Sequence, residues 1–386
     1  MEEHQQPNIH DVLNPRRALL AGLGGLAAGA FLAGKANAGP LTPPPGPIAS
    51  TPGPEPRRPI NALNTPGNAS NTFRITQPGS YYLESNINGE AAKNGISIEA
   101  SNVTIDLNGF SLLGPDGFGS THGITNSGQR NNIIIRNGTV SNWPGDGINI
   151  AASSIGTNAL IENVLARANG GRGIRGMNNC TIRACVAETN GTLGISVSAN
   201  GVITACAVRS NGSVGIETGF GAVVTECSAR SNNDYGLNVG VGSVVHACTS
   251  FSNTAGGGGI LTSQLCIVTR CSACNNSSHG IQVGFSCLVA GNACQGNASG
   301  SSSGIRATGT NNRIEDNHCT SNAVGISVAA AGNFIARNTC RSNTTNWNIA
   351  ANNACLVVNA TLAAAFTGNS GGISPGSTNP NANFTF

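Results

Sequence analysis

Four side chains fall close enough in one repeat register to do acid–base chemistry: His122, Asp146, Arg172 and Arg175. His122, Asp146 and Arg172 each stand immediately before a Gly-Ile pair, and Arg175 follows the third of those pairs. If equivalent positions stack one strand spacing apart, ~5 Å, an acid sits between two potential cations. The arginines would then bind the carboxylate of a uronate, and His122 would accept a proton from the sugar ring, as a β-eliminating lyase requires. The alternative is a solvated charge ladder that compensates itself. Trp143, close to Asp146, is a candidate sugar-stacking platform or else the cover of a coil edge. Asn149 and Glu217 are candidate ligand-binding groups from a neighbouring row.

These positions are comparable only because the chain repeats. Gly-Ile recurs at Gly95, Gly123, Gly147, Gly173, Gly194, Gly215, Gly259, Gly280, Gly304 and Gly325, with Gly236-Leu237 filling the one gap. A unit of that length is too short to bury its own apolar face and must stack on its neighbours. Helical solenoid repeats need roughly 34 residues or more, and the leucine pattern of leucine-rich repeats is absent. What recurs is short β-branched alternation, such as Gly194-Ile195-Ser196-Val197, separated by Asn, Ser and Gly. The expectation is an all-β chain, a right-handed parallel β-helix of about eleven to twelve coils with an N-terminal cap.

Other registers place the turns and the core. Asparagine recurs at Asn190, Asn211, Asn232, Asn253, Asn276, Asn297, Asn322 and Asn343, with Asn142 and Asn169 extending the row. Asparagine tolerates left-handed backbone, and stacked amides can hydrogen-bond from rung to rung, so this row predicts an asparagine ladder at a corner. Five residues earlier runs Cys185, Cys206, Cys227, Cys248 and Cys271, continued by Asn292, Asn317 and Asn338. Two residues later the column includes Cys294, Cys319 and Cys340, and three residues before the first column runs a stripe from Ile182 and Ile203 to Ile314 and Ile335. Small, thiol or aliphatic side chains at every rung predict that all three columns point inward. The thirteen cysteines follow the coil period rather than a disulfide or metal signature, which favours free thiols acting as small hydrophobes over strained rung-to-rung disulfides.

Composition excludes other classes. With 53 glycines among 386 residues and 4% aromatics, the chain packs by stacking small side chains. A net charge of +3, and no lysine after Lys35 except Lys93, leaves no basic stripe for nucleic acid. Residues 1–38 read as a signal peptide: Arg16-Arg17 precede an apolar run, and Ala36-Asn37-Ala38 resembles a cleavage site. Twin arginines suggest the bacterial route for folded cargo; the general secretory route and an uncleaved anchor are the alternatives. The expected location is therefore the periplasm, cell surface or extracellular space, with no transmembrane segment once the signal is removed. Residues 39–59 form a Pro-rich linker, 60–93 an N-terminal cap, 94–359 the β-helix, and 360–386 a C-terminal cap or tail.

The run Asn102-Val103-Thr104-Ile105-Asp106-Leu107-Asn108-Gly109-Phe110 resembles the first-coil signature of exported bacterial right-handed β-helix repeat proteins, within the pectate-lyase-like superfamily. That resemblance covers roughly residues 94 to 359. Its better-known members are pectate lyases, polygalacturonases, alginate-modifying enzymes and phage tailspikes, so it implies a polysaccharide ligand. The catalytic motifs of those enzymes are mostly missing. Gly145-Asp146-Gly147 and Ser278-His279-Gly280 match the polygalacturonase Gly-Asp-Asp and Gly-His-Gly poorly, and there is no Arg-Ile-Lys. Two-carboxylate sugar hydrolysis needs acids ~5 to 9.5 Å apart, yet the row after Gly-Ile holds a single carboxylate, Glu217. No cofactor is called for, and calcium is not indicated. The sequence therefore favours an exported, non-catalytic β-helix that binds polysaccharide or a cell-envelope component. A polysaccharide lyase or glycoside hydrolase acting on an anionic glycan is the alternative.

Overall fold

The computed structural model describes residues 57–115, 119–151, 157–297, 300–359 and 381–385. The expected signal peptide, nearly all of the linker and most of the C-terminal segment lie outside these residues. Every strand-to-strand pairing is parallel, apart from one isolated antiparallel bridge between Pro66 and Phe73. The strands form two sheets, one of thirteen strands and one of 26, wound as a β-solenoid.

The thirteen-stranded sheet gives one strand per turn, and its register is the Gly-Ile repeat. Ile148, Ile174, Ile195, Ile216, Leu237, Ile260, Ile281, Ile305 and Ile326 pair in succession, all fully buried. The row continues beyond the dipeptide at both ends, as Phe73 opposite Ile96 and Trp347 opposite Ile326. Among the described residues this sheet therefore has thirteen rungs against the expected eleven to twelve coils, because the end rungs carry an aromatic where the others carry Ile or Leu.

Glycine precedes the isoleucine for a steric reason. A Cβ added at Gly194 would lie 2.6 Å from the Gly215 carbonyl oxygen of the next coil and 2.8 Å from Asn211 Nδ2. Gly215 stands in the same relation to Gly236 and Asn232. The glycine row thus gives way to the asparagine row, and the two periods in the sequence are one packing contact seen from its two sides.

The 26-stranded sheet supplies two short strands per turn, such as Val202–Thr204 and Ala207–Arg209. The chain bends before each inward column at a residue with positive φ: Ala184, Ala205 and Ala247 precede cysteines, and Ala168, Thr189, Ser210, Ser231 and Ser252 precede ladder asparagines. This corrects the expectation that the asparagines themselves are left-handed. The kink falls one residue earlier and turns the asparagine side chain into the core, where its amide is held on both sides. Asn142 is the exception that explains the rule: it is itself left-handed, with φ 61°. Trp143 takes the ladder slot, donating its backbone N–H to Asn169 Oδ1 at 3.1 Å.

From Asn169 to Asn322 each ladder asparagine donates both its backbone N–H and its Nδ2 to the Oδ1 of the next coil. Asn190 does so to Asn211 at 3.1 and 2.9 Å, and Asn211 to Asn232 at 3.2 and 2.9 Å. The cysteine columns point inward as expected. Cys185, Cys206, Cys227, Cys248 and Cys271 are buried, as are Cys294, Cys319 and Cys340, and all are free thiols. Each thiol of the first column turns toward a carbonyl of the preceding coil, as Cys206 does toward Ile182 at 3.6 Å. Where this column changes to asparagine at Asn292 a second ladder starts, running through Asn317 and Asn338 to Asn383 near the C-terminus.

Candidate functional site

Pairing in the thirteen-stranded sheet also fixes the row that follows each Gly-Ile. Arg74, Ser97, Thr125, Asn149, Arg175, Ser196, Glu217, Asn238, Leu261, Gln282, Arg306, Ser327 and Asn348 are successive Cα partners. Two open grooves lie over this row. One of about 570 Å³ is lined by Glu217, Asn238 and Leu261. Another, of about 360 Å³, is lined by His279, Arg306, Ser327 and Asn348.

His122 and Asp146 meet, though in a different way from a catalytic pair. The Asp146 backbone N–H donates to His122 Nδ1 at 2.9 Å, while its carboxylate Oδ2 lies 3.9 Å from the same nitrogen. Asp146 Oδ1 accepts the Arg172 backbone N–H at 2.7 Å. The contact of Arg172 with the acid is therefore made by its main chain, and Asp146 works as a bracket between coils. Arg175 pairs with Asn149 in the sheet. Its charge is felt at His122, whose pKa is pushed below the usual imidazole value mainly by burial, with Asp146 opposing the shift and Arg175 adding to it.

Because Nδ1 of neutral His122 accepts a backbone N–H, the ring proton sits on Nε2. Nε2 lies 3.5 Å from Asn149 Nδ2, while Asn149 Oδ1 accepts the Ala151 backbone N–H at 3.3 Å; turning the amide would exchange that bond for one from Nε2–H. In this state His122 offers a hydrogen-bond donor, where a proton-abstracting base would need a bare nitrogen.

The remaining candidates separate. Trp143 is completely buried, with its indole N–H donating to the Leu112 carbonyl at 3.2 Å, so it presents no ring face to a sugar and belongs to the core. Asn149 is buried beside His122, and Glu217 lies four strands from Thr125 and two from Arg175 along the row. Asp106 fastens its turn, accepting the Asn108 backbone N–H at 2.9 Å and pairing with Arg57 and Arg136 at 3.3 and 3.2 Å. Arg167, Glu188, Arg209 and Arg230 stack in the other sheet, where Glu188 pairs with Arg167 and Arg209. Among the described residues no three His, Cys, Asp or Glu side chains converge to hold a metal, and no helix is long and apolar enough to cross a membrane.

Sequence reasoning passed over one arrangement. His279 stands before Gly-Ile as His122 does, and Arg306 follows Gly-Ile one coil later as Asn149 does. The 27-residue offset between the His122 and Asn149 partners recurs between His279 and Arg306, and it was the available signal.

No protein-family model matches the sequence, and no curated protein matches it. Solved structures do. The A-module of Azotobacter vinelandii mannuronan C-5 epimerase AlgE6 superposes with a TM-score of 0.60 at 16% identity, covering 80% of this chain and 90% of that one. The shared fold is the parallel β-helix. The AlgE4 A-module from the same organism shares it at TM-score 0.52 and 16% identity, over 69% and 88% of the two chains. A tailspike protein, Dettilon gp208, does so at 0.50 and 16%, over 70% and 58%. At these identities the likeness is one of β-helix architecture.

Proposed function

We propose that this protein is an exported, non-catalytic β-helix that binds an anionic polysaccharide or an envelope component along its thirteen-stranded sheet. One observation carries the reading: a row of thirteen partnered positions, mostly polar, one strand spacing apart and bordered by two open grooves. A flexible polymer is suited to a long shallow surface that repeats at ~4.8 Å, whereas a small molecule needs an enclosed pocket. The row contains three arginines and one carboxylate. Of the arginines, Arg74 is engaged by Glu99 at 2.6 Å, while among the described residues no carboxylate lies within ion-pair distance of Arg175 or Arg306. Structures sharing the fold include proteins named for action on mannuronan, which supports a polysaccharide partner.

A second reading, lyase or hydrolase chemistry on an anionic glycan, is favoured by the closeness of His122 to Asp146 and the nearby charge of Arg175. The donor state of His122 weighs against it. The deciding experiment incubates purified protein with pectin, alginate and neutral glycans and records both binding and new unsaturated or reducing ends. Retention on the anionic polymers without new ends is expected, weakening with salt. Turnover that His122→Ala abolishes would establish the enzymatic reading instead.

A further inference from the structure

The two histidine sites share a backbone scheme but differ in how they end. The Ser303 backbone N–H donates to His279 Nδ1 at 2.8 Å, as that of Asp146 does to His122. Nε2 of His279 therefore carries the ring proton when the ring is neutral. At His122 the facing group is an asparagine, which can supply an acceptor. At His279 it is the Arg306 guanidinium, with Nη1 2.8 Å from Nε2. Arginine has only donors and stays protonated. Shifting the proton to Nδ1 would free Nε2 but would set Nδ1–H against the Ser303 N–H. Each neutral tautomer thus leaves one donor facing another, and a second ring proton leaves both contacts so.

His279 is buried, at 7% exposure, and its pKa is pushed down to about 4, first by burial and then by Arg306, so the neutral ring is the relevant one. A buried donor left unmatched is destabilising, because it has lost its bond to water and gained none in return. An oxygen that accepts from Nε2–H and from the guanidinium together removes the mismatch, and an anionic oxygen also meets the unpaired charge of Arg306. The surrounding groove offers further donors in Ser301, Ser327 and Asn348.

We propose that the groove formed by His279, Arg306, Ser327 and Asn348 is an anion-receiving site, taking a carboxylate borne by an acidic glycan or the same chemistry as free sulfate. Its glycan form rests on the polysaccharide-binding reading above; the anion site itself does not. His279 supplies a neutral donor and Arg306 the charge; because Nη1 and Nε2 stand 2.8 Å apart, the anion is received with the guanidinium swung aside from Nε2.

The test uses the full chain labelled with ¹⁵N-histidine, titrated with an oligogalacturonate, its methyl ester and sodium sulfate, with affinities read by calorimetry. Oligogalacturonate should move the His279 Nε2 resonance, and esterification should weaken binding. Arg306→Asn, which installs the counterpart of Asn149, should weaken binding by about ten- to hundredfold. Should that variant misfold, the parental His279 resonance under sulfate and oligogalacturonate decides the matter alone. If sulfate moves His279 while no polysaccharide binds, the anion site stands and the glycan reading falls. If oligogalacturonate binds with His279 unmoved and Arg306→Asn at parental affinity, the glycan reading stands and this site is refuted, as it is if no probe moves His279.

Discussion

Replacing Asn232 by alanine tests how the coils are held together. The Asn232 side chain takes part in four hydrogen bonds. Nδ2 donates to the Val208 carbonyl at 3.3 Å and to Asn253 Oδ1 at 3.1 Å, and Oδ1 accepts the Asn211 backbone N–H at 3.2 Å and Asn211 Nδ2 at 2.9 Å. Asn232→Ala removes all four and leaves the Asn211 amide N–H buried against a methyl group. At about 1 kcal/mol net per bond, with an added penalty for the orphaned amide, the expected loss is about 4–6 kcal/mol. The exposed neighbour provides the control: Asn233→Ala removes one contact, from Thr254 Oγ1 at 3.3 Å, and should change stability by no more than about 0.5 kcal/mol. Urea unfolding gives the global figure. Because solenoid coils can open separately, exchange of the Asn211 amide proton should be followed beside it. A loss below about 1 kcal/mol together with unchanged protection of the Asn211 amide would show that strand pairing alone holds the turns and that the ladder is incidental.

Two further outcomes are expected. Gly194→Ala forces a methyl to 2.6 Å from the Gly215 oxygen in a fully packed interior; a loss of about 1–3 kcal/mol is expected in the same unfolding assay, and an unchanged midpoint would contradict the packing account of the Gly-Ile repeat. His279 should make stability fall with acid. Its folded pKa of about 4 lies below the unfolded value of about 6.5, so as pH drops through that interval the unfolded chain takes up a proton that the native chain does not. The contribution is fully present above about pH 6.5 and lost by about pH 4, amounting to at most about 3 kcal/mol. His279→Gln should flatten that part of the stability-versus-pH curve, and an unaltered curve would reject the assignment.

How much of this could be read in advance follows from what a period encodes. A repeat of residue types fixes which positions share an azimuth, so the inward course of Ile182, Ile203, Cys206 and Cys227 and the partnership of Asn149 with Arg175 were legible. It does not fix which residue bends. Thr189 and Ser210 take the left-handed conformation because that kink aims Asn190 and Asn211 inward, and nothing in their own chemistry marks them for it. Nearness to Asp146 in the sequence suggests a sugar platform at Trp143, with the cover of a coil edge as the alternative, yet the residue fills the ladder slot at which the asparagine row begins. The roles of His122 and His279 were hidden for another reason. They depend on where a proton sits, and that is set by the backbone N–H of Asp146 and Ser303, which every residue type carries alike.

The ladder also runs one way. From Asn190 to Asn322 every ladder asparagine gives its backbone N–H and one Nδ2 proton to the later coil and accepts two such bonds from the earlier one, so each coil offers its successor the same socket that it occupies in its predecessor. A whole 21-residue unit could be excised or duplicated and the flanking units would still find matching partners. Coils of 23 and 25 residues keep the same bonds, from Asn253 to Asn276 and from Asn297 to Asn322, so what must be preserved is one ladder asparagine per coil. Lengthening this molecule is therefore a matter of copying rather than redesign, and the length of its polar row is free to vary in whole coils.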